Sequence, residues 1–142
     1  MFLARSGLET HAWDFSAVAI ERLDEEARKN ELEIQTQVRD VLVHPPQPDS
    51  FDLVLVSCFL ERRLVPRLMR ALRPGGMIFY QTFVRDVYLN RGPSTEEWRL
   101  APNELLHLFQ GLQVRYYRED GKIFSAPTEL SDLAMIVASR RS

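Results

Sequence analysis

Apolar positions along this chain switch repeatedly between helical and strand spacing. Ala19, Ile20, Leu23 and Ala27 fall on one helix face. Ser16 stands just ahead of them, and its side-chain oxygen suits the unpaired backbone donors of a first turn, so a helix is predicted over residues 16–31. Residues 8–14 are a first strand, weakened by Glu9 and His11, and 34–38 alternate as a second strand ending at Asp40. The run at 51–56 is almost unbroken in its apolarity, the pattern of a strand buried on both faces of a parallel sheet. Leu60, Leu64, Leu68 and Leu72 then recur four apart and predict a helix with Pro66 in its first turn. Arg73-Pro74-Gly75-Gly76 ends that helix in a turn. Further strands are predicted at 77–83, 113–118 and 133–139, with a polar stretch over 84–102 and a short helix over 103–109.

Strands alternating with helices imply an α/β fold, a parallel sheet with helices on both faces. Residues 120–132 offer no full crossover helix, so the last of six strands is expected to run antiparallel beside its predecessor. Open sheets of this kind bind ligands beyond the carboxyl ends of their strands. That rule selects Asp14, Asp40, Ser57 and the loop after Phe83 as the places to look for chemistry.

Composition narrows the function classes. The chain has 142 residues, 45% hydrophobic and 27% charged, which suits one ordinary globular domain and excludes a disordered chain or a collagen-like rod. The net charge of -2 advertises neither nucleic acid nor an anionic membrane, and neither is expected as a partner. No apolar run approaches the length of a membrane span, and residues 1–7 show no export pattern. The single cysteine, Cys58, has no internal disulfide partner, which fits a reducing cytoplasm. After an apolar strand, Cys58 is expected to be a small buried hydrophobe rather than a nucleophile. His11, His44 and His107 lack metal-ligand spacing, so no metal site is expected. Arg63, Arg67 and Arg70 lie at helical spacing as a solvated flank, and Tyr116 and Tyr117 alternate, one inward and one outward.

Four segments come in a telling order: Trp13-Asp14-Phe15-Ser16, Val38-Arg39-Asp40-Val41, Phe51-Asp52-Leu53-Val54 and Leu72-Arg73-Pro74-Gly75-Gly76. Together they resemble the later motifs of class I S-adenosylmethionine-dependent methyltransferases. Phe59-Leu60-Glu61-Arg62, Pro66, the Pro-Gly-Gly turn, Thr82-Phe83, Gly92-Pro93, Leu100, Pro102, Glu104 and Leu105 are similar to the tellurite-resistance-type small methyltransferases. The resemblance runs from Ala4 onward and implies a Rossmann-like methyltransferase sheet, S-adenosylmethionine as cofactor and methyl transfer to a small-molecule acceptor.

The same resemblance implies the site. Asp14 would accept from the ribose hydroxyls of the adenosyl group, with an ordinary helix-entry aspartate as the alternative. Phe15 would pack on the adenine, though an apolar residue there is core by default. Asp40 would accept from the adenine amino group, unless it is a solvated turn carboxylate, and Val41 would offer its backbone N–H. Ser57 lies where the family places the methionine end. Arg62 faces an anionic substrate or is plainly exposed. Residues 84–102, with Tyr88, Trp98 and the Gly92-Pro93 turn, are expected to form a substrate-side lid, unless Trp98 plugs the core. No catalytic nucleophile or base is singled out, because a sulfonium methyl moves directly to an acceptor held in line.

One departure from the family pattern stands out. The glycines, at 7, 75, 76, 92, 111 and 121, form no G-x-G before a helix. Residues 1–6 read as the tail of the helix that should follow such a loop, with Gly7 as its left-handed terminal residue. The expectation is therefore an N-terminally incomplete methyltransferase domain over 1–142. It lacks the first strand and binds cofactor poorly or not at all as written. The competing class is a catalytically inactive, truncated fold acting as an interaction module or fragment.

Overall fold

A computed structural model describes residues 1–122 and 128–142. The chain divides into two compact units, Met1–Pro45 and Pro46–Ser142.

The first unit holds α1 (Phe2–Arg5), β1 (His11–Asp14), α2 (Ala17–Lys29) and β2 (Gln35–Val38), with β1 and β2 paired in parallel from His11–Gln35 to Asp14–Val38. Gly7 has φ +80 and closes α1, with Leu8 N donating to Leu3 O at 3.2 Å and Gly7 N to Ala4 O at 3.0 Å. Leu8 is thus drawn into the helix end, and the strand expected from residue 8 begins only at His11. The Ser16 hydroxyl caps α2 by accepting from Ala19 N at 3.2 Å, and Ile20 and Ala27, two turns apart, are its buried residues. Its far end repeats the α1 device: Leu32 N donates to Ala27 O at 2.9 Å around Glu31, which sits at φ 55.

The second unit holds β3 (Phe51–Ser57), a 3-10 turn (Arg62–Leu64), α3 (Val65–Ala71), β4 (Leu72–Phe83), a second 3-10 turn (Glu96–Trp98), α4 (Glu104–Leu108), β5 (Gln113–Glu119) and β6 (Leu133–Ser139). Its sheet has the order β3-β4-β6-β5; β3 and β4 are parallel, and β6 runs antiparallel to both β4 and β5. The antiparallel last strand is as expected, although it inserts between β4 and β5.

Pro66 lies in the first turn of α3, and Leu60, Leu64, Leu68 and Leu72 are all buried. The leucine spacing is nevertheless shared among a loop, a 3-10 turn, a helix and a strand, because α3 spans only Val65–Ala71. The Pro-Gly-Gly turn also lies inside the bounds of β4. Pairing with β3 jumps from Phe51–Leu72 to Leu53–Met77, so Arg73–Gly76 loop out opposite Asp52. Gly75 has φ +79, and a Cβ on Gly76 would meet Arg73 O at 2.9 Å and Asp52 O at 3.2 Å, which explains both glycines.

Side chains on β4 alternate. Ile78, Tyr80, Thr82 and Val84 are buried with Leu105 and Phe109. On the other face Leu55, Phe79, Val137 and Tyr116 form a row of paired positions across the four strands. Leu55 in that row is 56% exposed. The expectation of a strand buried on both faces is corrected: β3 is an edge strand, and Leu55 stays exposed.

Candidate functional site

The carboxyl ends of β1 and β2 present the first unit's polar groups. Asp14 ends β1, and its Oδ1 accepts from Ser16 N at 2.7 Å, so the carboxylate organises the helix entry. Its second oxygen has no hydrogen bond among the described residues. Phe15 beside it is 78% exposed, which corrects the default that it is core. An aromatic left in water next to an open carboxylate is the kind of surface a heteroaromatic ligand with hydroxyls would cover. Asp40 follows β2 and accepts from Leu42 N at 2.8 Å and Val43 N at 3.4 Å through Oδ1, a turn-forming carboxylate whose other oxygen is likewise unengaged. The Val41 N–H has no partner among the described residues. The Arg39 guanidinium stacks over the Trp13 ring at 3.9 Å and donates to His44 O and Pro45 O, which fixes the turn that carries Asp40.

In the second unit Ser57 is exposed at the carboxyl end of β3, and its hydroxyl lies 3.7 Å from Cys58 Sγ. Cys58 is exposed, not buried, with φ 56. The strand ends by turning through this left-handed residue, and that turn carries the thiol off the sheet. Its backbone stays anchored through Cys58 N to Gln81 O at 2.9 Å. Tyr80 on β4 donates its hydroxyl to Phe59 O at 2.8 Å, fixing the chain just beyond.

Arg62 is neither free nor simply exposed. Its guanidinium pairs with both oxygens of Glu104, one at 3.0 Å, and donates to Glu97 O at 2.7 Å and Arg99 O at 3.0 Å. Glu104 also accepts from Ala101 N at 2.7 Å. The hydrogen bonds from Arg62 hold the Glu104 carboxyl below the usual range against the opposing effect of its burial. Glu104→Gln is expected to cost about 1–2 kcal/mol near neutrality, since charge-assisted bonds are the strong ones. A depressed folded pKa contributes stability that is complete above the unfolded glutamate value, about 4.3, and is lost as pH falls through the folded value. The gap between the wild type and Glu104→Gln in urea unfolding should therefore close in acid below that point. A gap independent of pH would disprove the pairing.

Residues 84–102 carry Tyr88 and Trp98. Trp98 is 47% exposed, so it does not plug the core. Two buried charges that sequence reasoning missed hold this segment. Asp132, in the turn before β6, accepts from Tyr88 N (2.6 Å), Leu89 N (2.9 Å) and Arg91 N (3.2 Å). Burial pushes its carboxyl up, but these three N–H groups and Arg91 outweigh burial and hold it below its ordinary value. Arg99 donates to the carbonyls of Pro93, Val84 and Arg91. Neither residue has a spacing or a motif that marks it, and Arg and Asp are rarely buried. Among the described residues no group of three or more His, Cys, Asp or Glu is placed to hold a metal ion, and no helix is long and apolar enough to cross a membrane.

A family model described as a methyltransferase domain matches residues 1–76, more than half of the chain. The chain belongs to this methyltransferase domain family. No curated protein matches the sequence closely enough to count as a relative. Among solved structures, TehB from Haemophilus influenzae aligns over 99% of this chain and 52% of its own, with TM-score 0.77 and 21% identity. A SAM-dependent methyltransferase from Methanosarcina mazei aligns over 99% of this chain and 85% of its own, with TM-score 0.73 and 19% identity. The N-methyltransferase NodS from Bradyrhizobium japonicum WM9 aligns over 94% and 74%, with TM-score 0.69 and 17% identity. These likenesses show the fold, an α/β sheet with an antiparallel last strand. The chain spans about half the length of the TehB chain it matches.

Proposed function

Starting from membership of the methyltransferase domain family, we propose that this protein transfers a methyl group from S-adenosylmethionine to a small-molecule acceptor in the cytoplasm, as an enzyme of the tellurite-resistance type. Nucleic acid and membrane are not partners in this reading, and residues 1–142 act as one methyltransferase domain. The observation that carries it is Asp14: a carboxylate at the carboxyl end of β1 with one oxygen on the helix entry, one unengaged, and exposed Phe15 beside it. Asp14 accepts from the ribose hydroxyls, Phe15 covers the adenine, Asp40 and the Val41 N–H read the adenine edge, and Ser57 marks the methionine end. Arg62 shapes the acceptor side by holding Glu97 and Arg99, and Tyr88 and Trp98 line it.

Bound cofactor supplies an electrophilic methyl on a sulfonium sulfur. The protein's own residues bind, orient and exclude water. No side chain has to become a nucleophile, and in-line positioning supplies much of the rate. Exposed Cys58 therefore has no assigned step.

Calorimetric titration with S-adenosylhomocysteine tests this reading. The chain has no G-x-G loop, so the titration needs protein concentrations that detect a Kd near about 1 mM, roughly −4 kcal/mol. Weak binding at best is expected of a chain without that loop, and its heat should disappear in Asp14→Ala as charge-assisted hydrogen bonds are lost. Wild type and Asp14→Ala binding alike would remove Asp14 from the site. No heat with S-adenosylhomocysteine would favour the non-catalytic interaction module, and strong binding of NADH instead would overturn the cofactor assignment.

A further inference from the structure

Residues 84–102 are tied down at three levels. At the base, Val84 and Leu100 form a parallel bridge, with Leu100 N donating to Phe83 O at 2.8 Å and Arg85 N to Leu100 O at 3.0 Å. Inside, Arg99 is 5% exposed and binds three carbonyls of the segment itself, its guanidinium carbon 5.8 Å from the Phe83 ring centroid. At the outer end, Asp132 is 0% exposed and gathers the N–H groups of Tyr88, Leu89 and Arg91, while the Arg91 side chain reaches back to Glu129 O.

A connection of this length is where a lid is usually sought. Segments that open readily have few buried contacts and solvent-exposed hydrogen bonds. Here Asp132 is fully buried and its carboxylate is engaged by the segment, so opening would strand that carboxylate, while Arg99 keeps the segment rigid by binding its own carbonyls. We propose that residues 84–102 form a fixed wall, locked by Asp132 and Arg99 as positioning residues, which presents Tyr88 and Trp98 to the methyl acceptor without closing over it. The wall's role toward an acceptor rests on the functional reading above; its locking rests on the hydrogen bonds alone.

Amide hydrogen exchange on the intact protein, with and without S-adenosylhomocysteine, separates the two. In ligand-free protein the amides of Tyr88, Leu89 and Arg91 are expected to exchange at least about 100-fold slower than a free chain, and ligand leaves them unchanged. Free-chain exchange without ligand, or protection that arises only with ligand, would mean a lid and overturn the wall. Failure of the ligand to bind would count against the functional reading, while the ligand-free rates still decide the wall. Asp132→Asn supplies the positioning test. It should speed exchange at these three amides by about tenfold or more while Ile136 and Ala138 of β6 keep their rates. An equal rise at all five would assign Asp132 to global stability and end the positioning role.

Discussion

Phe109→Ala should destabilise the protein by about 3–5 kcal/mol, the usual cost of deleting a large buried aromatic. Phe109 follows α4, is fully buried, and meets Tyr80 with ring centroids 5.3 Å apart and planes tilted by 55°. Its removal leaves a cavity under β4 and takes away the surface against which Tyr80 is oriented. The Tyr80 hydroxyl is a smaller contributor, since it adds one hydrogen bond to Phe59 O. Tyr80→Phe should therefore cost about 1 kcal/mol. Urea denaturation of the two variants measures both, and a Phe109→Ala loss below that of Tyr80→Phe would mean that the α4 end is not packed as described.

Gly92→Ala should cost about 2–5 kcal/mol although it adds one methyl group. Gly92 has φ +86, and a Cβ there would lie 2.5 Å from two Phe83 ring atoms and 2.8 Å from a third. A left-handed non-glycine residue costs roughly 1–2 kcal/mol, and forcing a packed ring aside adds about 1–3 kcal/mol. Gly111→Ala is the control, because its Cβ would meet only Met69 Sδ at 3.8 Å, and it should stay within about 0.5 kcal/mol of wild type. The prediction also bears on residues 84–102. A mobile loop would shift and absorb the methyl, whereas a wall tied to Asp132 and Arg99 transmits the full cost. A Gly92→Ala loss no larger than that of Gly111→Ala would show that the loop gives way.

Much of this architecture was legible because local chemistry and tertiary context agree. Ser16 caps α2 as its position implied, and Gly7 adopts the left-handed conformation that a helix end demands. Residues 133–139 form a strand with the expected bounds and the antiparallel sense that the missing crossover required. Among the site residues, Asp14 was legible as a carboxylate at a strand end, and its bond to Ser16 N shows that it also serves the helix entry. The two readings weighed for it are compatible, because a carboxylate has two oxygens. Asp40 behaves in the same way, with one oxygen in its own turn.

What the sequence by itself determined is the order of elements, the caps and turns, and the apolar stripes. Each depends on residues within a few positions of one another, so spacing alone carries the signal. Only the tertiary structure decided which apolar residues stay exposed, and Phe15, Leu55 and Trp98 do. Only there did Arg62 acquire Glu104 and did Asp132 acquire the amides of Tyr88, Leu89 and Arg91, partners more than 40 positions away in sequence. The physical reason is that burial and electrostatic pairing belong to neighbours in space. A charge with no local signature is tolerated in the interior only where the fold brings it donors or acceptors, and no pattern read along the chain records where that happens.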